Sequence, residues 1–173
     1  MTPSPQLPNI TLPQCEGSMP VPPNATPSGS LEKVREVVER YHQTYRHPAL
    51  PALQISGLYA LFPDQTTATV QYSWPKDPWP NASQPGVYLI FDALLDLRYI
   101  GKARCLGKRL HNYFAEGPAP ERTCRVVHTT WRADPKFVAT IAVHKPFEAP
   151  SLEEFLINAL RPAENATPLA EEA

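Results

Sequence analysis

Helical and strand-like spacings of apolar residues alternate along this chain, and each change of period marks a new element. Leu31, Val34, Val37, Val38, Tyr41 and Tyr45 succeed one another at intervals of 3, 3, 1, 3 and 4, gathering on about a third of a helix circumference. Ser30 is the residue type that caps such a helix, Glu32 suits its first turn, and His47-Pro48 ends it. The stripe reads as a surface helix packed on a core, with a dimerising or DNA-contacting helix as the sharper alternative. From Ile55 the pattern becomes β-rich: Gly57 to Phe62, and Thr66 to Trp74 with alternation, separated by Pro63-Asp64, predict a β-hairpin. Residues 75–85 hold four prolines, which remove ladder donors and predict an internal boundary.

After that boundary, Gly86–Phe91 and Leu97–Ile100 are apolar runs of strand length joined by Asp92–Asp96. They predict a hairpin that brings Tyr88 and Tyr99 together. Leu106, Leu110, Tyr113 and Phe114 then form a helical stripe ended by Gly117-Pro118, with Arg109 and Tyr113 four apart on one edge. A second short helix is expected around Thr123–Trp131. Phe137–Val143 reads as a buried strand, and a last helix is expected from Pro150-Ser151 to about Leu160. Ser151 and Glu154 have the spacing of a capping box, which gives Glu154 a structural explanation. Glu153 has none: at about 100° per residue it lies on the apolar arc between Leu160 and Ile157, where a carboxylate needs a metal ion or an arginine as partner.

Composition changes the picture at the ends. Eight of the 22 prolines fall within the first thirty residues, so residues 1–28 are expected to form a disordered tail, as are residues 167–173. A chain of 173 residues suits one core of domain size, divided here into an N-terminal helix and hairpin extension at 29–83 and a main domain at 84–166. Net charge is −1, yet residues 98–136 carry nine Lys or Arg against Glu116, Glu121 and Asp134, a local net of +6 that attracts phosphate. Three cysteines without CxxC or His-paired spacing encode neither a disulfide framework nor a zinc site, and a reduced, cytoplasmic setting is expected. The N-terminus lacks a basic region followed by an apolar core and no apolar run approaches membrane-spanning length, so neither a signal peptide nor a membrane partner is expected.

Taken together, Gly86-Val87-Tyr88, Tyr99-Ile100-Gly101-Lys102-Ala103, Arg109, Tyr113, Glu153 and Asn165 resemble the GIY-YIG nuclease superfamily over residues 86–165. The likeness is nearest to the compact domain of the bacterial excision-repair nuclease subunit, of homing endonucleases and of small restriction enzymes. It implies an α+β fold, a three-stranded antiparallel sheet flanked by helices, and DNA phosphodiester hydrolysis with one Mg²⁺ or Mn²⁺, leaving 5′-phosphate and 3′-hydroxyl ends. By this resemblance Tyr88 accepts or relays the water's proton, while Tyr99 shapes the site and contacts the phosphate or the water on the metal. Arg109 stabilises phosphate charge, Tyr113 matches a position some relatives fill with histidine, and Glu153 is the metal ligand. Asn165 ties the end of the last helix into the site. Lys102, Arg104 and Lys108 cluster where they would meet the substrate. A phenol ionises near pH 10, so a basic Tyr88 requires adjacent positive charge, which Lys102 and Arg109 are expected to supply. A catalytically idle nucleic-acid-binding module on the same fold is the other class the motif allows. The resemblance leaves room for pairing of two chains through residues 29–83, and for nucleoid association in a bacterium.

Overall fold

The computed structural model describes residues 29–62, 70–118, 122–127 and 131–165; the expected terminal tails and the Pro63-Asp64 turn lie outside them. The chain order is α1 (Gly29–Tyr45), β1 (Leu58–Ala60), β2 (Val70–Ser73), β3 (Gly86–Phe91), β4 (Leu97–Ala103), α2 (Leu106–Tyr113), β5 (Phe114–Glu116), β6 (Cys124–Val126), β7 (Phe137–Ala142) and α3 (Glu148–Leu160). Five strands form one sheet in the order β2-β1-β7-β3-β4, and β5 pairs with β6 separately. Strand β3 lies between β7 and β4 and runs antiparallel to each, which gives the expected three-stranded unit of an α+β fold, extended by two further strands.

Strand β3 is buried along its whole length because both faces of the sheet are covered. One face packs Val87, Leu89, Ile100, Ala139 and Ile141 against Val34, Val37, Val38 and Tyr41 of α1 and Leu152 and Leu156 of α3. The other packs Tyr88, Ile90 and Val138 against Leu106, Leu110 and Tyr113 of α2. The apolar stripe of α1 is thus turned into the chain's own core, the surface-helix reading, and those residues are withheld from a second copy. Tyr45, at the end of the stripe, stays 65% exposed.

Several local expectations are corrected. Strands β1 and β2 run parallel, with Leu58 opposite Val70 and Ala60 opposite Ser73. A two-stranded hairpin would pair β1 and β2 antiparallel; here the Leu61 amide bonds to the Lys136 carbonyl, so the chain continues alongside β7 past the end of β1. The sheet is therefore continuous across residues 75–85. Ser30 lies inside α1, and its hydroxyl accepts the amide of Leu97 at 2.9 Å instead of capping its own helix. Helix α3 begins at Glu148 with Phe147 as N-cap, so Ser151 is an interior residue that accepts the Tyr41 hydroxyl, and the capping box does not form. Within the range expected as a helix, Thr123–Trp131, the described residues Cys124–Val126 form β6 instead, since Phe114–Glu116 leaves α2 as a strand and pairs with them.

The two helices on the α1 face are tied by a buried charge. Arg46, with a side chain 4% exposed, pairs with Glu148 and donates to His42 Nδ1 and the Pro51 carbonyl. Removing one partner of such a pair strands the other charge. Glu148→Ala is expected to cost about 3 kcal/mol in urea denaturation, whereas Arg46→Met combined with Glu148→Leu should recover most of that loss. Equal losses in the single and double variants would contradict this role.

Candidate active site

Cross-strand register assembles the centre of the site. Tyr88 lies opposite Gly101 and Ile90 opposite Tyr99, which puts both tyrosines on the α2 face as diagonal neighbours, their ring centroids 6.0 Å apart. Tyr88 can lie there only because position 101 is glycine. A Cβ on Gly101 would stand 2.3 Å from the Tyr88 hydroxyl oxygen, closer than any side chain allows.

Helix α2 delivers the guanidinium. Its first amides are satisfied by the turn that precedes β3, Leu106 N–H on the Gln84 carbonyl and Gly107 N–H on the Ala82 carbonyl, which anchors the helix start to the entry of β3. Leu106, Leu110 and Tyr113 face the core. Arg109 Nε donates to Tyr88 Oη at 3.3 Å and its Nη2 to Tyr113 Oη at 3.1 Å, while the Tyr88 hydroxyl donates to that of Tyr113 at 3.3 Å. The guanidinium carbon also sits 5.0 Å from the Tyr113 ring centroid, within cation–π range. Three phenols and one arginine therefore form a single connected group.

Glu153 approaches from the other face. Lys102 pairs in register with Val87, so its side chain belongs to the α3 side of the sheet, where it forms an ion pair with Glu153. The Glu153 side chain is only 15% exposed and its charge is felt at Tyr99, whereas Glu154 is exposed. The two adjacent acids separate as the helical arc predicts. Asn165 donates to the Ile100 carbonyl and accepts the Ile100 amide, both at 2.7 Å. Together with the Glu164 amide on the Arg98 carbonyl, it closes the open edge of β4. Arg104 and Lys108 are exposed and form no ion pair among the described residues. Part of the basic segment is internally neutralised: Arg98 lies near Asp92 and Glu164, and Arg122 pairs with Glu116.

Trp131 is a site residue that sequence reasoning missed. Its ring meets Tyr99 edge-on at 5.5 Å and Tyr113 at 5.9 Å, and its buried indole N–H has no hydrogen-bond partner among the described residues. A lone tryptophan in an irregular basic segment offers no periodicity by which to find it.

Burial dominates the electrostatics of the phenols. It pushes the Tyr88 pKa well above the ordinary tyrosine value, the hydrogen bond to Tyr113 adds to the rise, and the Arg109 contact only partly opposes it. Tyr99 is raised for the same leading reason. The positive charge expected to make Tyr88 a base is thus half delivered: Arg109 reaches it, while Lys102 is engaged by Glu153. Both phenols are protonated donors at neutral pH. Burial likewise raises Tyr59 and pushes the Cys124 thiol up to about 12. A group whose folded pKa lies above its unfolded value holds its proton more tightly when folded, so its contribution is intact below the unfolded pKa and is lost as pH rises toward the folded one. Stability in urea should therefore fall from about pH 9, the ordinary thiol range, and more steeply above about pH 10, where unfolded phenols ionise. A flat profile from pH 8 to 11 would contradict the burial of these groups.

A single carboxylate can hold Mg²⁺, which keeps several waters and takes substrate oxygens. Glu153 fits that donor set, being an acid whose charge is felt at Tyr99 and whose ion-pair partner among the described residues is a half-exposed lysine. Among the described residues no group of three or more His, Cys, Asp or Glu could form a metal cage, and no helix is long and apolar enough to cross a membrane.

Residues 84–166 match the family described as the UvrC-like GIY-YIG domain. UvrABC system protein C of Bartonella quintana is 42% identical over 82 residues, covering 47% of this chain and 11% of that protein. The corresponding protein of Novosphingobium aromaticivorans is 31% identical over 143 residues, covering 83% of this chain and 18% of that protein. The chain thus spans a small part of these relatives' length. The GIY-YIG N-terminal endonuclease domain of UvrC from Thermotoga maritima, solved bound to magnesium, is 29% identical over 50% of this chain and 88% of that chain, with a TM-score of 0.34. It is thus through residues 84–166, just under half of its length, that this chain matches the GIY-YIG nuclease superfamily.

Proposed function

We propose that residues 84–166 hydrolyse phosphodiester bonds in DNA as an endonuclease dependent on Mg²⁺, with Mn²⁺ as a substitute, and that the chain serves DNA repair. The carrying observation is the connected group of Tyr88, Tyr99, Tyr113 and Arg109 beside the half-sheltered carboxylate of Glu153. A guanidinium already held by two phenols presents its remaining N–H donors as a fixed fork, which matches phosphate oxygens better than a mobile ammonium can. Protonated Tyr88 is poised to pass a proton along its chain of hydroxyls rather than to stand as a phenolate, so its role is that of a relay for the attacking water. Tyr99, on the strand that leads to Lys102, contacts the phosphate.

Glu153 would hold the metal ion, which when bound neutralises phosphate charge and lowers the pKa of water. Lys102 would present its charge to the substrate, beside Arg104 and Lys108. Asn165 acts indirectly, by fixing the edge of β4 that carries Tyr99. The similarity to UvrABC system protein C favours repair over restriction or mobile-element biology.

A plasmid-nicking assay tests the reading. Supercoiled DNA with the protein and Mg²⁺ should be converted to open circles, and EDTA should stop conversion. Binding of DNA without nicking under any divalent ion would identify an idle module instead.

A further inference from the structure

A groove of about 740 Å³ lies between the turn after β4 and the start of α3, with Lys102 and Arg104 on one wall and Pro146, Phe147 and Pro150 on the other. Three features set it apart from the rest of the surface. Phe147 is 80% exposed, an unusual position for a large aromatic ring that its own chain could have covered. His144 and Lys145, just before it, are also exposed. No acid lines the groove, and the nearest carboxylates are engaged, Glu148 with Arg46 and Glu153 with Lys102. An open aromatic face beside Arg104 and Lys145, neither of which forms an ion pair among the described residues, is the surface chemistry that suits a stacked base with its flanking phosphates.

We propose that this groove holds one unpaired nucleobase of the DNA strand being cut, stacked on Phe147, with the adjoining phosphates against Arg104 and Lys145. The proposal rests on the nuclease reading, since Lys102 belongs both to the groove and to the candidate site and so sets the bound base beside the cleavage centre. The base must be unpaired, because in a duplex both its faces are already occupied by neighbouring bases. The surface therefore selects a strand that is locally single, as at a flap, a bubble or a frayed end.

Fluorescence anisotropy of a labelled single-stranded oligonucleotide, with EDTA present so that nothing is cut, tests this. Phe147→Ala should bind about tenfold more weakly than the wild type, near the lower end of what one stacked base contributes, and Phe147→Tyr should bind like the wild type. An abasic site walked along the oligonucleotide should weaken wild-type binding at one position by a similar factor while leaving Phe147→Ala unaffected. Because Phe147 is exposed, both variants should keep the wild-type thermal midpoint. Equal affinities of wild type and Phe147→Ala, equal abasic penalties in both, or no single-strand binding at all would overturn the groove. Nicking by the same wild-type preparation keeps the two readings apart. Nicking with Phe147-independent binding removes the groove alone, and Phe147-dependent binding without nicking removes the nuclease.

Discussion

Glu153→Gln is expected to lower Mg²⁺-dependent nicking by about a thousandfold while leaving the protein folded. Metal assistance to phosphodiester hydrolysis is worth several kcal/mol of transition-state stabilisation, and each 1.36 kcal/mol corresponds to a factor of ten in rate. Among the described residues Glu153 is the carboxylate whose charge is felt at the phenol cluster, and no group of three or more His, Cys, Asp or Glu there could hold the ion instead. The amide is isosteric and removes the charge that draws a cation. The structural cost is small because the partner, Lys102, is 48% exposed and returns to water, and pairs of this kind contribute at most about 1 kcal/mol. Nicking rates and urea midpoints measured on the same samples separate the two effects. Retention of activity near the wild-type level would show that the cation, if needed, is held elsewhere.

Arg109→Lys is expected to retain the fold and lose about a hundredfold in nicking rate. The guanidinium does three things at once: it donates from separate nitrogens to Tyr88 and Tyr113, lies over the Tyr113 ring, and keeps further donors for substrate. An ammonium is a point charge on a flexible stem and cannot hold two phenols and a phosphate in one plane. Loss of a single preorganised donor in a site that stabilises developing charge typically costs a factor of 10²–10³. Arg109 is exposed, and its replacement leaves the contacts of Leu106 and Leu110 with the core intact. Turnover by Arg109→Lys close to that of the wild type would contradict the planar-fork role, whereas a lowered urea midpoint would instead assign Arg109 to structure.

Much of the centre was legible along the chain because it depends on short-range periodicity. The hairpin pattern of β3 and β4 brought Tyr88 near Tyr99, the interval of four put Arg109 beside Tyr113, and the helical arc of α3 separated Glu153 from Glu154. Each of these follows from backbone geometry that repeats over a few residues. The apolar stripe of α1 likewise identified Val34, Val37, Val38 and Tyr41, which became core, though not Tyr45, which stays exposed.

What failed were inferences about ends and partners. Ser30 and Ser151 have the chemistry of caps, but their hydroxyls found Leu97 and Tyr41, because a short polar side chain bonds whichever group the packed fold brings within reach. Strands β1 and β2 were each visible, whereas their parallel pairing was not, since the path between strands depends on which edge of the sheet remains open.

By itself, then, the sequence determined the elements of the central sheet and the faces of its helices, both of which are set by local spacing, while the grouping of the phenols with Arg109 was implied by the family resemblance. Only the tertiary structure decided that Lys102 holds Glu153, that burial keeps Tyr88 protonated despite Arg109, and that Trp131 and Phe147 stand where they do. Those outcomes depend on distances between residues far apart in the chain and on the exclusion of water, and neither quantity is encoded in any short stretch of residues.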